Sequence, residues 1–191
     1  MIRIKIKKKV GETFVVILSV LLIFFLSGCG NGYSYNDGVR DIRGVEAKYL
    51  EIGYVPAESL EDYKADMGLL KARVASKGNS KNVQAVITTI EFKINSAAAR
   101  GELISVRSVS KGGIICAQKT EAKEFYSHSG LAAQYTKNAA DNLGKLLTDY
   151  KSLLDEDTQA LYSQQKINLD ATARSIESGV QQMQNILAEC K

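Results

Sequence analysis

The chain is predicted to be all-α, an elongated antiparallel bundle of about four long helices. Three observations predict this. Apolar residues recur at spacings of three and four through most of the chain beyond residue 40. The single proline, Pro56, leaves long stretches uninterrupted. An acidic stretch, Asp155-Glu156-Asp157-Thr158, separates two long apolar stripes, as the reversal of a helical hairpin would.

Taken in order, the first segment is a targeting signal and is set aside before the fold is read. Arg3, Lys5, Lys7, Lys8 and Lys9 make a basic head. An apolar run of 13 residues follows from Phe14 to Leu26, interrupted only by Ser19. That is short for a stable membrane span, which needs roughly 20 apolar residues. The cations favour the cytoplasmic side, and the small Ser27 and Gly28 leave the next peptide bond accessible to a peptidase.

Leu26-Ser27-Gly28-Cys29, at this distance behind a charged head and an apolar core, resembles the lipobox of prokaryotic lipoproteins. The resemblance covers only the first 29 residues. It implies a signal peptide of residues 1–28, cleavage between Gly28 and Cys29, and a diacylglyceryl thioether on the Cys29 sulfur. A third acyl chain, such as palmitate, often follows on the new α-amino group. Two or more acyl chains anchor stably, each buried CH₂ contributing about 0.8 kcal/mol. Gly30 stands where an inner-membrane retention Asp would sit, so in a Gram-negative source the expected address is the outer membrane.

Removing the signal changes the charge argument. The whole chain has 25 Lys+Arg against 21 Asp+Glu, and residues 1–28 hold five of the former and one of the latter. The remaining 163 residues are balanced, 20 against 20. A nucleic-acid partner therefore has no electrostatic support. Residues 29–37, polar and glycine-bearing, read as a lipidated tether, and 38–191 as one helical domain.

Within that domain, Ile42, Val45, Tyr49 and Ile52 share one helical face, up to Val55-Pro56. Leu60, Tyr63, Met67, Leu70 and Val74 resume the pattern, with Ser59 and Asp62 placed as a capping box. The first arm is thus two helices, or one kinked at Pro56. Gly78-Asn79-Ser80 closes a helix and offers a cap to the next.

Residues 83–109 carry two signatures. Val83, Ile87, Ile90, Ile94 and Ala97 suit a helix through about Arg100. Ile90, Phe92 and Ile94, alternating with Glu91 and Lys93, suit a strand, so a small β-hairpin is the alternative. Residues 102–111 stay undecided.

From Ile115 onward one stripe holds Ala122, Phe125, Ala132, Tyr135, Ala139, Leu143, Leu146, Tyr150 and Leu153. After the acidic turn, which Thr158 is placed to cap, Leu169, Ile176, Met183 and Cys190 recur every seven residues, with Leu161 eight before the first, as in a coiled coil. Gly130, Gly144 and Gly179 are expected to be merely tolerated. Cys116 and Cys190 each lie 37 positions from residue 153, beside the reversal, so the hairpin would bring them to one end. An exported compartment permits a disulfide there.

Chemistry is sparse. His128 is the single histidine, so a multi-histidine metal site is ruled out. Glu124, four residues earlier, is half a ligand pair at most. No Gly-x-Ser-x-Gly elbow occurs, Gly112-Gly113 lacks a phosphate-loop lysine, and the carboxylates are interspersed with cations. No enzyme, cofactor or metal is expected. Two functions remain: a membrane-anchored, non-enzymatic envelope protein that binds another protein or serves as an accessory or scaffold subunit, and a small-ligand-binding lipoprotein with a Tyr-lined site between helices.

Overall fold

Five α-helices follow one another in the computed structural model, which describes residues 32–110 and 119–189. Cys29, Cys116 and Cys190 lie outside the described residues, and so do the lipidation, cleavage and disulfide expectations that rest on them. All five helices belong to one unit that begins at Tyr35. Among the described residues there is no strand, only an isolated bridge between Glu51 and Tyr54. The all-α helical bundle is the fold.

Helix α1 runs from Tyr35 to Tyr49. The expected tether therefore ends earlier than residue 37. Tyr35 is buried, and its hydroxyl shares a 3.2 Å hydrogen bond with that of Thr89. After α1 the chain reverses tightly, Glu51 and Tyr54 exchanging backbone hydrogen bonds of 2.8 and 3.1 Å. Ile52 and Gly53 take positive φ, 47° and 83°. This overturns the placement of Ile52 on the apolar face of α1, because the helix has ended and the side chain is fully exposed.

A short 3₁₀ turn, Ala57–Ser59, leads into α2, Leu60–Ala75. The first arm is thus two helices. The capping box at Ser59 does not form. Ser59 has φ −99° and ψ 0°, and its side chain makes no cap hydrogen bond. A capping serine needs extended backbone to aim its hydroxyl at the first turn, and the 3₁₀ turn denies it that. Tyr63, Met67, Leu70 and Val74 are all buried, as their spacing predicts. Gly78, at φ 110°, ends this arm, and Ser80 caps the next helix by accepting from the Val83 N–H at 3.3 Å.

Helix α3 spans Lys81–Ser110 without a break. The β-hairpin around 83–109 is therefore wrong, and so is a helix end near Arg100. The strand-like alternation has a helical cause. Ile90 and Phe92 are buried, while between and beside them Glu91 reaches Lys71 on α2 at 2.7 Å and Lys93 reaches Glu46 on α1 at 2.8 Å. A helix with neighbours on several sides is apolar on several faces, so its pattern loses a single period. Thr88 and Thr89, also buried, donate to the carbonyls of Gln84 and Ala85, four residues back, at 2.9 Å each.

Helices α4, Lys119–Thr148, and α5, Glu156–Glu189, form the expected hairpin. Ala85, Ala98 and Ala99 of α3 and Ala122, Ala132, Ala139 and Ala140 of α4 are all buried. Small residues on both sides let these two axes approach closely, and theirs is the broadest interface in the unit. The cap of α5 is Asp155 rather than Thr158: its Oδ1 accepts from the Thr158 N–H at 2.6 Å. Leu161, assigned to the buried stripe of α5, is 55% exposed, and only Ala173 among the described side chains of this helix is buried. Helix α5 packs mainly on α4 and leaves its other flank beside a groove.

Candidate functional site

The groove runs over one face of α3, with α1 as one wall and α5 as the other. It consists of two adjoining hollows of about 440 and 540 Å³, both bordered by Glu46, Phe92, Lys93 and Gln165. Each helix contributes residues at helical spacing: Val39, Arg43, Glu46 and Leu50 from α1 and its end, Thr89, Phe92, Lys93, Ser96, Arg100 and Leu103 from α3, Leu161, Gln165, Asn168 and Thr172 from α5. From Thr89 to Leu103 the floor extends about 21 Å at 1.5 Å per residue.

At one end Tyr35, Thr89 and Tyr162 form a hydroxyl cluster, and the Tyr162 ring packs against Phe92 with centroids 6.0 Å apart and planes inclined at 56°. Burial above all, and then the neighbouring Tyr35, push the Tyr162 phenol far above its ordinary pKa. Burial, with Glu46 nearby, does the same to Tyr63. Both phenols stay protonated and neutral at ordinary pH. In the middle, the Glu46 side chain is only 12% exposed and is held by Lys93. At the other end the Arg100 guanidinium lies over the Tyr54 ring, 4.1 Å from its centroid. Two buried polar atoms of residues that border this hollow, Ser96 Oγ and Gln165 Oε1, have no hydrogen-bond partner among the described residues.

A third hollow, about 420 Å³ between α1 and α2, differs in that its charges are already paired. Lys48 and the Tyr49 hydroxyl both donate to Asp66 at 3.0 Å, and Arg73 lies 3.7 Å from Asp41. These donors hold the Asp66 carboxyl below its usual pKa.

His128 is half-buried, but its partner is on α3: the Glu102 carboxylate accepts from Nδ1 at 2.7 Å. The structure thus joins His128 to Glu102 rather than to Glu124, which points outward. No group of three or more His, Cys, Asp or Glu that could hold a metal occurs among the described residues. The sequence marks none of the groove's polar residues as a functional residue. One signal for it existed: Tyr35, Val39 and Ile42 continue the α1 stripe backwards into the assumed tether. Glu46, Lys93 and Gln165 carried none, because each is ordinary on a solvated helix face.

Comparison with protein-family models, with curated proteins and with solved structures finds no match for this chain.

Proposed function

We propose that the chain is exported, anchored to a membrane through lipid on Cys29, and works there as a non-enzymatic envelope protein that binds another protein. The anchoring rests on the lipobox-like Leu26-Ser27-Gly28-Cys29 behind its apolar run. No helix among the described residues is long and apolar enough to cross a membrane.

One observation carries the binding: three helices present complementary faces to a single open groove, and at its rim Leu161 and Leu50 remain exposed. Laying an amphipathic segment into such a groove is a common mode of protein recognition. Neutral tyrosines and internally paired charges suit positioning contacts more than proton transfer.

The test is co-purification from native membranes. Wild type should retain a protein partner, Leu161→Glu should lose it, and Cys29→Ala should leave the membrane fraction or remain an uncleaved precursor. A partner indifferent to Leu161→Glu would move the binding surface elsewhere, and identical membrane attachment of Cys29→Ala would refute the anchor.

A second reading, a small ligand in the same groove, is favoured by the unpartnered Ser96 Oγ and Gln165 Oε1. Buried polar atoms generally have partners, and a ligand would supply them by displacing the side chains that shield these two from the hollow. A hollow of about 540 Å³ is in the range of small-molecule sites.

A further inference from the structure

We infer that the groove between α1 and α5 is the seat of an acidic amphipathic helix belonging to a partner protein. This rests on the protein-binding reading above and specifies its partner. The length argues for a helix: a floor of about 21 Å matches some 14 residues of α-helix, and the walls are themselves helical faces.

Charge argues for acidity. Two charges in the groove neutralise each other, Glu46 with Lys93 at 2.8 Å. Arg40 is held by Asp37 at 2.7 Å. Asp155 also borders the first hollow and keeps its charge, with its Oδ1 engaged as the cap of α5 by the Thr158 N–H. That leaves Arg43 in one hollow and Arg100 in the other, both exposed and neither with an ion-pair partner among the described residues. A helix with apolar residues toward Phe92, Leu161 and Leu103 and carboxylates at its edges would meet both guanidiniums, which favour carboxylates through their planar fork. The chain's own residues 1–28 have the wrong sign, five Lys+Arg against one Asp+Glu.

The experiment places a photo-crosslinking amino acid at Leu161 in the full-length protein, expressed in its native membranes, and identifies the captured segment by mass spectrometry. The expected product is a segment of another protein, net negative, with apolar residues at i, i+3, i+4 and i+7. Adduct yield should fall at least tenfold in the Arg43→Glu/Arg100→Glu variant and persist in Arg43→Lys/Arg100→Lys. Both arginines are exposed, so an unchanged circular dichroism spectrum separates lost binding from lost fold. A captured segment that is basic, or indifferent to charge reversal, would overturn this inference while leaving protein binding standing. Capture of a second copy would also overturn it. Capture of the chain's own N-terminus, of a lipid or small-molecule adduct, or of nothing would overturn both.

Discussion

Gly38 of α1 lies so close against Val86 of α3 that a Cβ at position 38 would overlap the valine side chain. Val86 is fully buried, so it has no free space to retreat into. This contact sets how near α1 approaches the floor of the groove, and hence where the wall carrying Arg43 and Glu46 stands.

Gly38→Ala is therefore expected to cost about 1–3 kcal/mol through overpacking, despite alanine's better helix propensity. Gly44, on the same helix, has nothing within 4 Å of its would-be Cβ. Gly44→Ala should stabilise by about 0.5–1 kcal/mol. Urea denaturation of both variants checks the pair. Equal effects would remove the argument for close approach at Gly38.

The Glu46–Lys93 pair yields a second prediction. With Glu46 only 12% exposed, Lys93→Met strands a carboxylate in a poorly solvated place, at an expected cost of about 1–3 kcal/mol. Adding Glu46→Gln should recover much of that loss, because the uncompensated charge is gone. A double variant no more stable than Lys93→Met alone would mean the pair is effectively solvated.

The third concerns acid. Hydrogen bonds from Thr158 hold the Asp155 carboxyl below its ordinary pKa. The folded state thus prefers the ionised form. The stabilisation is present above the unfolded pKa, near 4, and is lost as pH falls through the lower folded value. Melting temperatures of wild type and Asp155→Ala should differ most from about pH 5 upward. The gap should narrow toward pH 2.5, and a gap independent of pH would show that the carboxylate is not the cap.

The fourth is the proposed disulfide. Cys116 and Cys190 flank the hairpin, three residues before α4 begins and one after α5 ends. An antiparallel pairing puts those two ends together. Non-reducing peptide mapping of exported protein should find the bridge. Closing a loop of roughly 75 residues, it should contribute about 4 kcal/mol by chain entropy. Free alkylation of both thiols in folded protein would exclude it.

Much of the bundle was legible from sequence. The stripe from Tyr63 to Val74, the cap at Ser80, the reversal near residue 153 and the buried Ala132, Ala139, Leu143 and Leu146 all follow from spacing. Such residues report a local fact, which side of a helix avoids water. Of the three glycines expected to be merely tolerated, Gly130 and Gly179 have nothing near a would-be Cβ, whereas at Gly144 a Cβ would come within 3.3 Å of the Lys166 side chain. The misplacements have a common origin. Ile52 and Leu161 fit the period, but one lies past the end of its helix and the other on a flank that no helix covers.

By itself, then, the sequence determined the helical class, the order of the segments and most of the inward faces of α2 and α4, because 3.6-residue periodicity is written locally. Only the tertiary structure decided that α3 stays helical through residue 110, that His128 meets Glu102, and that α1 and α5 stand apart over Phe92 and Lys93. Those outcomes depend on which helices become neighbours and how closely small residues let them pack. Each is a relation between distant segments, and no single segment's pattern encodes it.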